Sequence, residues 1–307
     1  MSEIASISLA RPLSEISDEL GRSFAEYGFA IVRDHGIPQE LIDRAEDLAR
    51  AFFALPEATK RSYRIEGGGG ARGYTPFGTE IAKDAAVHDL KEFWHVGRTL
   101  PEGHRFAESM APNVWPDEVD GFQATFEQLY AEFERTGDRI LRAIALHLGL
   151  EEDYFADTVL DGNSVMRLLH YPPLGDNVPE GAVRAAAHGD INTITLLLGA
   201  EEAGLELLDT QGEWMPVSPP PGALAVNVGD MLDRLTNSRL RSTTHRVVNP
   251  GGEGARRSRY SMPFFLHFRP DFLIEPLEQC VAEGETTRPP ITAHDFLQQR
   301  LREIGLA

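Results

Sequence analysis

Three residues in the second half of this chain have the types and spacing of a metal site. His188 and Asp190 stand two apart across Gly189, and His245 lies 55 positions beyond Asp190. Two imidazoles and one carboxylate grip a divalent ion on one face and leave the opposite face for reagents, as in non-haem Fe(II) centres. The same donors also hold catalytic zinc, which activates water instead of oxygen. Both histidines must be neutral and the aspartate ionised to bind, so metal affinity is expected to fall with acid.

A second constellation begins 14 positions past His245. Arg259 and Ser261 stand two apart in the run 257–265, which opens after the turn signal Pro250-Gly251-Gly252-Glu253-Gly254. In a strand such residues share a face. A guanidinium fork with a hydroxyl beside it is a receptor for a carboxylate. Tyr171 adds a phenol from an earlier strand-like run, 165–171. A carboxylate receptor next to the metal favours iron over zinc.

These side chains need a scaffold of short strands. Residues 187–198 are rich in β-branched and aliphatic types and read as one strand, which would put His188 and Asp190 on a common face. Residues 242–248 read as the strand that brings His245. Further short strands at 205–209, 213–217, 223–228 and 257–268, punctuated by Gly and Pro, indicate a jelly roll or barrel.

Helices flank that zone. Apolar residues from Leu41 to Phe53 recur at helical spacing behind Pro38, read as a first helical residue. Phe122 to Leu148 do the same over a longer stretch, where Gly137 predicts a local break because glycine costs about 1 kcal/mol relative to alanine. Residues 292–304 read as a closing helix capped by Thr292. The fold class expected is α+β, a double-stranded β-helix (jelly-roll) core flanked by helices. Its zones are an N-terminal α/β region at 1–115, a helical connection at 116–160, the core at 161–270 and a helical closure at 271–307, forming one integrated unit.

The motifs recur in this order in one family. The chain resembles the isopenicillin N synthase-like Fe(II) oxygenases through Gly28 to Pro38, Arg72-Gly73-Tyr74, Asp89 to Phe93, Tyr171-Pro172-Pro173, His188-x-Asp190, Asn227-Val228-Gly229-Asp230, His245-Arg246-Val247 and Arg259-x-Ser261. The resemblance implies that His188, Asp190 and His245 hold Fe(II), that Arg259 and Ser261 hold the distal carboxylate of 2-oxoglutarate, and that Tyr171 contacts this co-substrate. It also implies that O2 converts 2-oxoglutarate to succinate and CO2 while a small-molecule substrate is hydroxylated, desaturated or cyclised. Arg72, Tyr74, Phe77, Trp94 and His95 would reach over the barrel mouth towards substrate, and Phe265, on the Arg259 face, would wall the pocket. Leu169 departs from plant members, which often carry asparagine there, so the resemblance does not carry over that polar contact, while the iron ligands are unaffected. Two alternatives stay open: an Fe(II) oxidase of the same fold that does not use 2-oxoglutarate, and a non-catalytic jelly-roll binding protein.

Other candidates are assigned plain roles. Asp230 is read as a backbone cap or turn residue, and His170 and His267 as residues outside the ligand set. The glycines at 67–70 have no Lys-Ser/Thr after them, so they are read as a loop and not a phosphate cradle.

Composition narrows the partners. With 307 residues and 42% hydrophobic content the chain can bury a sizeable core. A formal net charge of −19 argues against nucleic-acid and anionic-membrane partners, because such binding draws on a basic surface. The single cysteine, Cys280, cannot form an internal disulfide, and no apolar run approaches the ~18 residues of a membrane span. The N-terminus does not read as a secretory signal. A cytoplasmic location is expected, and the sequence is silent on oligomeric state.

Overall fold

The computed structural model describes residues 4–66, 71–79, 87–174, 178–179, 181–199 and 204–303. The glycine run at 67–70 and Ile304 lie outside the described residues. Two sheets face each other. The larger has eight strands in the order β1 (Ser6–Ser8), β2 (Phe29–Arg33), β10 (Leu224–Val228), β7 (Ile194–Leu198), β12 (Arg259–Leu266), β5 (Val165–Tyr171), β4 (Glu92–Gly97) and β3 (Gly73–Thr75). Only the β1–β2 pair is parallel. The smaller is antiparallel, in the order β6 (Ala185–His188), β11 (His245–Val247), β8 (Leu205–Leu208) and β9 (Trp214–Pro216).

Side-chain alternation divides the large sheet into two surfaces. On the inner surface Phe29, Ile31 and Ala225 pack against Ala185, Leu205, Leu207 and Val247 of the small sheet, closing the expected jelly roll. On the outer surface Trp94, Met166, Leu168, Leu196, Val226 and Phe264 join the main core beneath the helices. Phe133 of helix α4 (Phe122–His147) stacks on Phe264 with ring centroids 5.1 Å apart. Helices α1 (Leu13–Tyr27) and α2 (Gln39–Phe53) pack on α4 through their apolar faces, while α3 (Glu57–Ser62) and α5 (Ala156–Val159) are short connecting turns of helix. Full burial of each Phe or Leu along these faces contributes roughly 1.5–3 kcal/mol.

Several elements differ from the sequence reading. Pro38 precedes α2, which begins at Gln39. Helix α4 runs unbroken through Gly137, because a Cβ there would fall 2.3 Å from Leu266 Cδ1; the glycine allows helix and sheet to approach closely. Thr292 does cap the closing helix α7 (Ala293–Glu303): its hydroxyl accepts from the Asp295 N–H at 3.1 Å and donates to the Asp295 carboxylate at 2.7 Å. No helix among the described residues is long and apolar enough to cross a membrane.

Candidate metal centre and active site

His188 closes β6, and His245 opens β11 directly opposite it, so the cross-strand register brings the two imidazoles to a 4.5 Å centroid separation. Asp190 reaches them from outside any strand. The segment expected to be one strand over 187–198 breaks after His188, and β7 starts only at Ile194. Alternation therefore does not pair His188 with Asp190; the intervening turn does. Asp190 Oδ1 lies 3.9 Å from His188 Nε2, and Oδ2 lies 3.8 Å from His245 Nε2. One ligand atom from each of the three residues falls within 4.8 Å of the others, and this is the one such His/Cys/Asp/Glu group among the described residues.

The hydrogen bonds around the three side chains prepare them as donors to a metal. His188 Nδ1–H donates to the Ala186 carbonyl at 2.7 Å, and His245 Nδ1–H donates to the Thr243 carbonyl at 3.1 Å. Both rings thereby keep a lone pair on Nε2. Asp190 Oδ2 accepts from Thr195 Oγ1 at 2.6 Å and from Asn227 Nδ2 at 2.8 Å, which fixes the carboxylate and leaves Oδ1 for an ion. Burial alone would raise the Asp190 pKa, but the neighbouring His245 and His188 and these two donors outweigh it and hold the group ionised. Burial first, then His245, pushes His188 down to about 4, so it is neutral at pH 7. The His188 side chain is 38% exposed against 9% for His245 and 6% for Asp190, so the centre opens on the His188 side.

One row of side chains across the inner face of the large sheet supports this centre. Gly97, Val165, Phe265, Thr195, Asn227 and Phe29 are successive cross-strand partners. Thr195 and Asn227 hold Asp190, and Phe29 packs edge-on against the His245 ring at 5.5 Å. The loop that carries Asp190 is tied to helix α6 (Asp230–Leu235) by Asp230 N–H donating to the Asp190 carbonyl at 2.8 Å. The Asp230 carboxylate, expected to cap or turn the backbone, makes no cap on α6 and pairs instead with Arg300 Nη2 at 3.2 Å. A Cβ on Gly229 would fall 2.1 Å from the Asn192 carbonyl oxygen, which explains the glycine of the Asn227-Val228-Gly229-Asp230 motif. Gly229→Ala is expected to cost about 1–3 kcal/mol of stability by overpacking and to weaken metal binding by displacing Asp190. Urea unfolding and metal titration of the variant check both effects.

Arg259 is buried on the same inner face. Its Nε and Nη1 have no hydrogen-bond partner, and its Cζ lies 5.5 Å from the ring of Tyr171, its cross-strand partner. Ser261 is buried one position further along that face, opposite Leu169. A buried guanidinium with two idle nitrogens is costly unless an anion completes it. The receptor therefore fits a dicarboxylate co-substrate.

The remaining sequence candidates separate into two groups. His95 and Phe265 do face inward, as does Arg72, whose guanidinium covers Gly97. Trp94 and Tyr74 do not: they lie on the outer surface, where Trp94 packs against Phe52 at 4.7 Å and Tyr74 bonds to the buried Glu92. Strand alternation, which sends residues 93 and 95 inward, sends 94 outward, so neither can touch substrate. Phe77 is 42% exposed and packs against His88. His170 is outside the centre, bonded to Glu92 at 2.7 Å and Ser258 at 3.0 Å.

Sequence reasoning missed Arg167. It sits four residues before Tyr171 and so on the same face, a signal available from spacing alone. Its Nε donates to His95 Nε2 at 2.6 Å, and its Cζ lies 4.2 Å from the Phe93 ring and 5.4 Å from the Phe265 ring.

His267 is buried just past the end of β12, with Nδ1–H donating to the Phe265 carbonyl at 3.0 Å, and burial pushes it down to about 4. The unfolded chain takes up this proton near pH 6.5 and the native state only near 4. Native stability is therefore complete above pH 6.5 and declines between 6.5 and 4, by roughly 3 kcal/mol from this residue. Urea unfolding at pH 7 and 4.5 should show a smaller loss in His267→Asn, whose amide can keep the bond to Phe265.

Comparison with known proteins accords with this geometry. Residues 4–118 match the family model described as non-haem dioxygenase in morphine synthesis N-terminal, and residues 162–268 match the 2OG-Fe(II) oxygenase superfamily. A 2-oxoglutarate-Fe(II) type oxidoreductase of Emericella nidulans is 36% identical over 289 residues, covering 90% of this chain and 81% of the relative. A Caulobacter crescentus crystal structure described as a 2OG-Fe(II) oxygenase family protein superposes with a TM-score of 0.91 at 55% identity, covering 99% and 100% of the two chains. A full-length Neurospora crassa protein in complex with alpha-KG and thymine gives 0.87 at 28% identity, covering 97% and 96%.

Proposed function

Because the chain belongs to the 2OG-Fe(II) oxygenase superfamily, we propose that His188, Asp190 and His245 hold its iron and that Arg259, with Ser261 and Tyr171, holds its 2-oxoglutarate. The enzyme is a non-haem Fe(II), 2-oxoglutarate-dependent dioxygenase that acts on a small molecule. The observation that carries the residue assignment is a preorganised His-Asp-His group on the small-sheet side and a buried, incompletely bonded Arg259 on the inner face of the large sheet that packs against it. Fe(II), with O2 and 2-oxoglutarate, supplies the oxidising chemistry, releasing succinate and CO2 as a substrate C–H bond is oxidised.

The chain's own residues bind, orient and exclude water. The backbone carbonyls of Ala186 and Thr243 fix the tautomers of the two histidines. Thr195 and Asn227 set the rotation of Asp190. Arg259 would grip the far carboxylate of 2-oxoglutarate bidentately while Ser261 donates a further hydrogen bond. Tyr171 walls the guanidinium, and Leu169 and Phe93 pack with it to keep that end of the pocket apolar. Hydroxylation is the outcome we favour, because it needs no group to take a second hydrogen from substrate.

The test is anaerobic titration of Fe(II)-loaded protein with 2-oxoglutarate, followed by the weak visible charge-transfer band of the chelated keto acid. A saturable band is expected in the native protein. Bound iron without any band would remove the assignment. The acidic balance of the chain supports a small-molecule partner over nucleic acid or anionic membrane. The lone buried Cys280 and the need to keep iron ferrous support a reducing, cytoplasmic setting.

A further inference from the structure

Two arginines on the inner face share one unusual property. Among the described residues, only Arg259 and Arg72 have two buried guanidinium nitrogens without a hydrogen-bond partner: Nε and Nη1 in Arg259, Nε and Nη2 in Arg72. In Arg259 the idle pair is accounted for by 2-oxoglutarate. In Arg72 nothing in the proposed reaction accounts for it. Its Nη1 donates to the adjacent Ala71 carbonyl at 2.7 Å. The ionisable groups that act on it are the Tyr130 phenol and the His267 imidazole, both of which burial keeps neutral at pH 7, so neither supplies a counter-charge. A buried cation without a counter-charge is costly, so its position calls for an anion.

The position is specific. A Cβ built on Gly97 would fall 1.9 Å from Arg72 Cζ, 2.0 Å from Nη2 and 2.2 Å from Nε. The absence of a side chain at 97 therefore creates the seat in which the idle nitrogens lie. Gly97 heads the row that continues through Val165 and Phe265 to Thr195, the residue that holds Asp190. Three strand spacings of about 4.8 Å make a span of about 14 Å, long enough for a compact small molecule. Arg167, bonded to His95 and flanked by Phe93 and Phe265, borders the same stretch. The formal charges of Fe(II), Asp190, doubly ionised 2-oxoglutarate and Arg259 cancel one another, so none of them compensates Arg72.

We propose that Arg72 is the receptor for the substrate's anionic group, and that the substrate is a small carboxylic acid whose apolar body lies over Val165 and Phe265. This inference rests on the assignment of Arg259 to 2-oxoglutarate. The guanidinium fork would take the carboxylate with its Nε and Nη2 edge.

The experiment uses the Zn(II)-loaded protein, so that no turnover intervenes, and calorimetry in two stages. Binding of 2-oxoglutarate is measured first. Benzoate, phenylacetate, cyclohexanecarboxylate and hexanoate are then titrated into the saturated complex, each beside its methyl ester. At least one carboxylate is expected to bind ten-fold or more tightly than its ester. Arg72→Gln is expected to erase that preference while changing 2-oxoglutarate affinity less than two-fold, with Arg72→Lys between the two. Should Arg72→Gln lose 2-oxoglutarate binding, the comparison passes to Arg72→Lys and to Gly97→Ala, which displaces the guanidinium without removing it; both are then expected to weaken the preference. Failure of the native protein to bind 2-oxoglutarate would sink the Arg259 assignment itself. Normal 2-oxoglutarate binding with no carboxylate bound, with esters bound equally well, or with the preference intact in the variants that retain it, overturns the Arg72 proposal alone.

Discussion

Replacing Asp190 by alanine is expected to leave a protein that folds yet neither retains Fe(II) through dialysis nor consumes 2-oxoglutarate. Asp190 supplies the only anionic donor of the three, and its charge offsets much of the desolvation of a dipositive ion in a mostly buried site. Breaking a buried ion pair costs about 3–5 kcal/mol, which at ~1.4 kcal/mol per power of ten weakens metal binding by roughly two to four orders of magnitude. Turnover should fall further, because the two remaining imidazoles no longer fix which positions on the ion are open. The substitution also leaves Thr195 Oγ1 and Asn227 Nδ2 without their acceptor. Asp190→Asn separates the effects: it keeps an acceptor oxygen but removes the charge, so stability should recover while iron binding does not. Iron content after dialysis and succinate release give both readouts. Full activity in either variant would remove the assigned triad.

Arg259→Ala is expected to raise the 2-oxoglutarate requirement by about two to four powers of ten, from the same 3–5 kcal/mol for an uncompensated buried charge. Iron binding should be preserved, because Arg259 makes no contact with the three ligands in the described structure and lies beside Tyr171 instead. The visible band of the anaerobic iron complex would then appear only at correspondingly higher 2-oxoglutarate. Arg259→Lys keeps the charge but loses the planar fork, so it should recover part of the loss and not all of it. An unchanged 2-oxoglutarate requirement in Arg259→Ala would refute the carboxylate receptor. Together the two substitutions distinguish a fault in metal binding from a fault in co-substrate binding.

Much of this design is legible in the chain alone. Short apolar runs between Gly and Pro turns identify the jelly roll, and the helical periodicity of 122–148 identifies α4 even though Gly137 argues against an unbroken helix. That glycine is understood only beside Leu266, since helix propensity is local and close approach is not. His188, Asp190, His245 and Arg259 are identifiable because each must be of one residue type, and a required type at a fixed spacing survives in sequence. In sequence the turn that delivers Asp190 is indistinguishable from a strand, because the apolar residues after it mark β7 but carry no sign of where that strand begins.

The substrate side shows the opposite balance. Trp94 and His95 are neighbours in sequence and equally plausible as pocket residues, yet one faces the main core and the other the inner surface of the large sheet. The parity of a strand is set by its partners, here the register of β4 on β5, and not by the residues themselves. Arg72 lies at the entry to a three-residue strand and acquires its meaning from the missing side chain of Gly97, 25 positions away. Sequence determined which chemistry this protein has the residues to perform. Tertiary structure decided which of them meet, because cross-strand register and close packing are properties of pairs of segments and no single segment contains them.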